Sequence, residues 1–262
     1  MSDAKTVLKA SDISIVFGGL CAVSGFSCEL KEGELVGLIG PNGAGKTTVF
    51  NMLSGVYTPT GGQITFTDRN DKIHITNKKT PAALNKMGIA RTFQNIRLFG
   101  NLTVADNVRI ALHNQRIVNL VDVLLRLPKL RRDEKLMNQK VDEFLSVVNL
   151  QNKKKNDLAK NLSYGEQRRL EIARALASNP RLLLLDEPAA GMNPQETDEL
   201  RQMIEKIRAD FKLTVLLIEH DMKFVMGICE RIMVLDYGRI IAEGLPEEIR
   251  ANPQVIKAYL GN

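Results

Sequence analysis

The sequence predicts an α/β fold with a mainly parallel sheet. Three short apolar runs, at 35–39, 182–185 and 214–218, carry no charged residue. Runs of this length and character are typical of parallel strands that are covered on both faces. The first run leads through a glycine-rich loop into a helical pattern. After the second run, Asn193 and Pro194 favour the start of another helix, with asparagine at the cap and proline at the first position.

Shorter β segments surround these strands. In each of them apolar and polar side chains alternate, or a turn bounds the segment. The segments lie at 11–17, 26–30, 63–66, 73–75 and 88–93. Two more segments, 232–235 and 239–242, flank Asp236-Tyr237-Gly238 and predict a hairpin. The segments in the first third of the chain predict an antiparallel β subdomain beside the parallel sheet.

The middle of the chain has a helical pattern. Residues 120–130 and 136–148 carry apolar side chains at spacings of three and four, and a charged cluster at 131–135 separates them. We interpret this cluster as a solvent-exposed surface between two helices. The chain is predicted to be one domain with a core and β subdomain at about 1–93 and 163–245, an α-helical subdomain at about 94–162 and a C-terminal helix at about 246–262.

Composition and charge are those of an ordinary globular protein. Hydrophobic residues make up 44% and charged residues 25% of the chain, which disfavours disordered and fibrous classes. The net charge of +6 permits an anionic partner without requiring one. Cys21, Cys28 and Cys229 fit neither a disulfide framework nor a metal-site spacing, so we expect them in the core. No apolar run approaches the ~18 residues of a membrane span, so action at a membrane requires a partner.

A phosphate-binding motif follows the first apolar run. Gly40, Gly45, Lys46 and Thr47 match G-x-x-x-x-G-K-[ST] between a strand and a helix, which is the context of a P-loop. The glycines let backbone N–H groups point at phosphate oxygens, Lys46 reaches the terminal phosphates and Thr47 offers a hydroxyl to Mg²⁺. A Rossmann turn is disfavoured because Thr48 stands at its third glycine. The predicted nucleotide-binding residues of the loop are Gly40, Pro41, Asn42, Gly43, Ala44, Gly45, Lys46, Thr47 and Thr48.

Two acidic residues follow the second apolar run. Asp186 comes directly after four leucines and Glu187 is next in the chain. Ligands bind at the carboxyl ends of strands in open parallel sheets. We therefore expect Asp186 to bind Mg²⁺, through water, and Glu187 to act as general base toward the attacking water. The alternative is that these acids merely end a strand.

The segment Leu162-Ser163-Tyr164-Gly165-Glu166-Gln167 reads LSYGEQ and resembles the LSGGQ signature motif of ABC-type ATPases. Ser163 and Glu166 have the spacing of a capping box, and the helix N-terminus that follows can face an anion. Tyr164 and Glu166 depart from the family's more usual glycine and glutamine, and Asn193 stands where many members carry aspartate. In this family, the segments that contain these departures contact the second ATPase subunit of a dimer.

The resemblance extends from Leu8 to about Gly244 and implies the ABC ATPase fold. It also implies further site residues. Gln94 matches the glutamine that touches Mg²⁺ and water, so the implied metal set is Thr47, Gln94 and Asp186. His220 matches the histidine that senses the γ-phosphate, so the implied catalytic set is Glu187, His220 and Gln94. Phe17 stands where the family stacks an aromatic ring on adenine; the alternative is a core phenylalanine.

The resemblance also implies an assembly. In this family the signature of one subunit closes over ATP on the P-loop of another, so we expect Mg²⁺-ATP and a second ATPase subunit, either identical or a paralogue. Residues 242–260 and the EHDM sequence at 219–222 resemble ATP-binding subunits of branched-chain amino acid importers. We expect two membrane permease subunits as partners, and a periplasmic or extracellular substrate-binding protein as an indirect partner. We expect the chain to be a peripheral protein on the cytoplasmic face of the inner membrane and not to bind nucleic acid.

Other functions remain open at this stage. An importer ATPase for urea, amides or another solute has a similar sequence. A non-transport ABC protein usually has two ATPase cores or a long coiled-coil insert, and neither is present. A GTPase is disfavoured because its N-K-x-D motif is absent: Asn77-Lys78 is followed by Lys79-Thr80.

Overall fold

The computed structural model describes residues 5–112, 128–151 and 155–260, and the chain divides into two units. The first unit runs to Gln94 and resumes at Pro180, and the second is Asn95–Asn179. The second unit therefore extends past residue 162, where the sequence pattern put the end of the helical subdomain. The reason is that the helix after residue 163 contacts the other helices of this unit.

The first unit contains two sheets. Its strands are β1 (Thr6–Phe17), β2 (Leu20–Lys31), β3 (Leu35–Ile39), β4 (Gly61–Thr67), β5 (Ile73–Ile75), β6 (Ile89–Arg91), β7 (Leu182–Asp186), β8 (Thr214–Ile218), β9 (Arg231–Asp236) and β10 (Arg239–Gly244). Four of them form an antiparallel sheet in the order β2-β1-β4-β5. The other six form a sheet in the order β10-β9-β3-β8-β7-β6, in which only the β9–β10 pair is antiparallel. The mainly parallel sheet and the antiparallel β subdomain are both as predicted.

The register of the six-stranded sheet aligns three strand ends. Ile218 of β8 pairs with Leu38 of β3 on one side and with Asp186 of β7 on the other. All residues of these three strands are buried. Because the strands are parallel, the loops that follow them leave the sheet at the same edge.

Helices connect or follow the strands of the first unit. They are α1 (Lys46–Leu53), α2 (Pro81–Met87), α6 (Pro194–Phe211), α7 (Met222–Ile228), α8 (Pro246–Ala251) and α9 (Pro253–Leu260). Asn193 caps α6 in a capping box with Glu196, as its position before Pro194 predicts. The single C-terminal helix predicted from the sequence is wrong: it is interrupted at Asn252. The residue before a proline is disfavoured in helical conformation, and Pro253 begins a new helix there.

The second unit is helical. Within the described residues of this unit, the elements are α3 (Val104–Leu112), α4 (Pro128–Val147), a 3₁₀ turn (Ala159–Asn161) and α5 (Tyr164–Leu176). Each of these three α-helices contacts the other two. The prediction that residues 131–135 separate two helices is wrong, since α4 runs through them. Its apolar periodicity continues on the other side of the charged cluster. Most of the helix predicted at 120–130 lies outside the described residues.

The three cysteines differ in their exposure. Cys28 and Cys229 are buried, but Cys21 is exposed near the β1–β2 turn, so the expectation of three core cysteines is wrong for Cys21. Within the described part of the chain, no helix combines the length and the apolar character that a membrane crossing requires.

The β9–β10 hairpin fixes the P-loop from one side. Tyr237 and Gly238 have φ of 43° and 75°, as a two-residue hairpin turn requires. The Gly238 N–H donates to the Ala44 carbonyl over 2.9 Å. A Cβ added at Gly238 would lie 2.6 Å from the Ala22 carbonyl oxygen, so this position has no space for a side chain.

We expect Gly238→Ala to destabilise the protein more than Gly18→Ala. Both glycines have positive φ, which costs a substituted alanine about 1–2 kcal/mol. A Cβ at Gly238 also meets backbone atoms, whereas no atom of the described residues lies within 4 Å of a Cβ at Gly18. Urea unfolding measures the difference, and equal losses of unfolding free energy in the two variants would contradict the close contact.

Candidate active site

The P-loop curls through glycines that no other residue can replace without strain. Gly40, Gly43 and Gly45 have positive φ. A Cβ would lie 2.0 Å from the Leu235 carbonyl oxygen at Gly40 and 2.9 Å from the Ala22 carbonyl oxygen at Gly45. At Gly43 a Cβ would have no atom within 4 Å among the residues that the structure describes. The first and last glycines thus let the loop approach neighbouring backbone, and the middle of the loop is open to solvent.

Lys46 lies at the start of α1 and is 6% exposed. Its Nζ donates to the carbonyls of Gly40 over 2.7 Å and Pro41 over 2.9 Å, so the ammonium group is held inside the loop. Burial lowers the pKa of Lys46, whereas the charges of Glu187 and Asp186 raise it. Thr47, the next residue, is exposed and Thr48 is half-buried.

Asp186 ends β7 and is 2% exposed. Its Oδ2 pairs with Nη2 of Arg91 over 2.7 Å, and its backbone N–H donates to Thr92 Oγ1 over 3.4 Å. Its Oδ1 is buried and has no hydrogen-bond partner in the described part of the chain. A buried carboxylate oxygen without a donor is costly, so this atom is suited to a metal-bound water or another ligand.

Glu187 brings together the catalytic residues predicted from the sequence. Its Oε1 lies 2.7 Å from His220 Nε2, and its Oε2 accepts from Gln94 Nε2 over 2.8 Å. Glu187 has φ of 48°, a conformation that non-glycine residues rarely adopt. Its backbone N–H donates to Ile218 of β8 over 2.9 Å, so the neighbouring strand helps to maintain the strain.

Glu219 is a site residue whose role the sequence analysis missed. It is 3% exposed and lies between β8 and His220. Its Oε1 accepts from the Ala189 N–H over 2.6 Å, and its Oε2 accepts from the His220 N–H over 3.1 Å. One buried carboxylate thus connects the segment after Glu187 to the loop that carries His220. An acidic residue directly after a buried strand was the available signal.

Phe17 ends β1 and is 43% exposed, so it is not a core residue. Its ring lies edge-to-face against Tyr57 with 5.2 Å between ring centroids. The two rings form a small exposed aromatic surface on the first unit. This surface has the character expected for adenine stacking.

The signature-like segment lies in the second unit. Ser163 caps α5 and forms the predicted capping box, in which Ser163 N–H donates to Glu166 Oε2 over 3.0 Å. Ser163 and Tyr164 are exposed, Leu162 and Gly165 are buried, and Gln167 Nε2 donates to the Leu162 carbonyl over 2.9 Å. The start of α5 therefore presents a hydroxyl and a tyrosine ring to solvent.

Comparison with known proteins gives two family matches. The model of the ABC transporter family matches residues 23–190, which is more than half of the chain. The model described as "Branched-chain amino acid ATP-binding cassette transporter" matches residues 239–262. The chain is 48% identical over 258 residues to the high-affinity branched-chain amino acid transport ATP-binding protein LivG of Salmonella typhimurium, covering 98% of this chain and 99% of the relative.

Solved structures of the same fold agree. The ADP conformation of MJ1267, an ATP-binding cassette of an ABC transporter, matches with a TM-score of 0.82 and 29% identity, covering 98% of this chain and 100% of that chain. A dimeric post-hydrolysis state of the ATP-binding cassette MJ0796, bound to ADP and Pi, matches with a TM-score of 0.75 and 26% identity, covering 91% and 98%. The ABC ATPase fold expected from the sequence is thereby confirmed.

We expect Glu219 to make the stability of the protein depend on pH. Burial raises the pKa of its carboxyl above the ordinary 4.5, although bonds from backbone N–H groups oppose the shift. The folded protein then binds this proton more tightly than the unfolded chain does. The contribution of Glu219 to the free energy of unfolding is therefore complete at low pH and is lost as the pH rises through the raised pKa.

Urea unfolding of the parent protein and of Glu219→Gln over a pH series measures this effect. Above pH 4.5 the unfolding free energy should fall more steeply with pH in the parent than in the variant, because glutamine does not titrate. Glu205→Gln, at an exposed position of α6, is the matched control. Parallel curves for the parent and Glu219→Gln would rule out the linkage.

Proposed function

This chain belongs to the ABC transporter family and is an ATPase of that family, and we propose that it drives an importer of branched-chain or related neutral amino acids. The observation that carries the enzymatic part is the contact of Glu187 with His220 and Gln94, beside Asp186. The C-terminal match at 239–262 and the likeness to LivG support the importer class.

In this proposal the P-loop binds the phosphates of ATP. The residues from Gly40 to Thr48 surround the phosphates, and their backbone N–H groups donate to phosphate oxygens. Lys46 exchanges its bonds with the Gly40 and Pro41 carbonyls for the terminal phosphates. The ring of Phe17 stacks on the adenine, and Tyr57 supports that ring from its edge.

Thr47, Gln94 and Asp186 are the residues that would hold Mg²⁺. Hydroxyl, amide and carboxylate oxygens suit this ion, and the unpartnered Asp186 Oδ1 fits the arrangement. When bound, the ion neutralises charge that develops on the β- and γ-phosphate oxygens. Asp186, which is 2% exposed, would hold the ion through a water.

Glu187 is the general base. It takes a proton from water as the water oxygen bonds to the γ-phosphorus, and the bond from that phosphorus to the bridging oxygen breaks to give ADP and phosphate. His220 senses the γ-phosphate and holds Glu187, and Gln94 orients the water. The strained backbone at Glu187 supports a preorganised site, in which the carboxylate is held in one position before ATP binds.

The P-loop is one half of the working site. The exposed N-terminus of α5, with Leu162, Ser163, Tyr164, Gly165, Glu166 and Gln167, acts on ATP bound to a second subunit, which is a second copy or a paralogue. The dimeric cassette MJ0796 bound to ADP and Pi supports this arrangement. ATP then joins two subunits, and hydrolysis releases them.

The chain works with proteins that cross the membrane. We assign it two permease subunits and, indirectly, a substrate-binding protein outside the membrane. Its own location is then peripheral, at the cytoplasmic face of the inner membrane. The charge of +6 suits a position near anionic lipid.

Glu187→Gln is expected to bind ATP with about the parent affinity but to hydrolyse it at less than about a hundredth of the parent rate. The amide keeps hydrogen bonds to its neighbours but cannot accept a proton. Gel filtration with ATP should then detect a persistent dimer. Hydrolysis at near the parent rate would show that Glu187 is not the base.

Leucine uptake tests the cargo. In bacteria that lack LivG, expression of this chain should restore uptake of labelled leucine, and Lys46→Ala should not because it loses nucleotide affinity. Labelled urea serves as the control solute. No leucine uptake in a strain where the chain reaches the membrane with the permeases would contradict the assignment.

A further inference from the structure

Arg91 is a buried arginine next to the candidate active site that has no role in the mechanism above. It ends β6, and its side chain is 6% exposed. Its guanidinium carbon lies 5.6 Å from the centre of the Phe50 ring and 5.1 Å from that of Phe93. The cation is thus desolvated and lies over two aromatic rings.

The guanidinium joins α1 to β7. Nη1 donates to Asn51 Oδ1 of α1 and to Oγ of Ser54, the residue that ends this helix, each over 2.7 Å. Nη2 donates to Asp186 Oδ2 over 2.7 Å. A lysine could not make these three bonds in a fixed plane, because its ammonium is a single point charge on a flexible stem.

Two features connect this cation to ligand binding. Thr47 and Asn51 are four residues apart on α1 and therefore lie on the same face of the helix. Asp186 keeps its second oxygen, Oδ1, buried without a hydrogen-bond partner in the described residues. Arg91 thus occupies one oxygen of Asp186 and leaves the other for a ligand, and the same guanidinium bonds the helix face that carries Thr47.

Stability alone does not account for this arrangement. A buried ion pair adds little net stability, because desolvating two charges costs about as much as their attraction returns. Arg181 in the same unit is also buried, but it bonds the carbonyls of Thr67 and Asp68 and pairs with Glu32 and Asp71. None of these four is a predicted site residue. Arg91 differs in that its anionic partner is a predicted metal-site residue.

We propose that Arg91 is a positioning residue for the magnesium site, which sets the position of Asp186 relative to Thr47 through its bonds to Asp186, Asn51 and Ser54. The inference rests on the proposed function, since it takes Asp186 and Thr47 as metal-site residues. Arg91 acts on bound Mg²⁺ through these neighbours, as supporting residues around metal ligands commonly do.

The test is equilibrium binding of a fluorescent ATP analogue, with EDTA and across a Mg²⁺ titration. Arg91→Met should keep the metal-free affinity within about threefold and raise the half-saturating Mg²⁺ concentration about tenfold or more. Arg91→Lys should raise the half-saturating Mg²⁺ concentration less, because lysine keeps the positive charge but lacks the planar guanidinium that bonds three partners. Arg181→Met, the matched buried-arginine control, should leave the half-saturating concentration unchanged.

Several outcomes would overturn the inference. Arg91→Met could weaken binding equally with and without Mg²⁺, or Arg181→Met could shift the Mg²⁺ dependence as much. If Arg91→Met does not fold, Asn51→Ala removes one acceptor from α1 and should raise the half-saturating concentration about threefold; no increase contradicts the inference.

Asp186→Asn separates this inference from the proposed function. If that variant keeps the parent's Mg²⁺ dependence, the metal assignment itself is wrong. If Asp186→Asn loses the dependence and Arg91→Met keeps it, only the role of Arg91 is wrong.

Discussion

The parallel pairing of three buried strands is the constraint on which the candidate site depends. β8 lies between β3 and β7, and Ile218 is in register with both Leu38 and Asp186. Because these strands are parallel, the P-loop, Glu187 and His220 leave the sheet at one edge. Every residue of the three strands is buried, so a slip in register would move Asp186 away from the loop and unpack the core at the same time.

Several charged side chains at this edge of the sheet are buried. Lys46, Asp186 and Glu219 are each 6% exposed or less. Each of these charges is stabilised by different hydrogen-bond partners. Lys46 donates to P-loop carbonyls, Asp186 accepts from the guanidinium of Arg91, and Glu219 accepts from backbone N–H groups. These contacts fix the positions of charged groups that would otherwise be expensive to bury. They leave one oxygen of Asp186 and the solvent-exposed face of the P-loop for ligands.

Local patterns predicted the strands, the P-loop, the capping box of α5 and the acidic residues at the end of β7, because each depends on residues close together in the chain. The contact of Gln94 with Glu187 was accessible only through family resemblance, since 93 residues separate the two. The roles of Arg91 and Glu219 could not be predicted, because they depend on contacts with residues distant in the chain: Arg91 bonds Asn51 and Asp186, and Glu219 bonds the Ala189 N–H. The continuity of α4 through its charged cluster was missed for a related reason: a charged stretch is equally suited to a loop and to the exposed face of a helix.

Mixing two inactive variants tests most directly whether the P-loop is one half of a shared site. Lys46→Ala keeps an intact signature segment, and Ser163→Arg keeps an intact P-loop. A mixed dimer then contains one intact composite site, so ATP hydrolysis should appear in the mixture although neither variant hydrolyses ATP alone. Hydrolysis in the mixture no greater than the sum of the two variants, or parent-like hydrolysis by Ser163→Arg alone, would contradict a site completed by a second subunit.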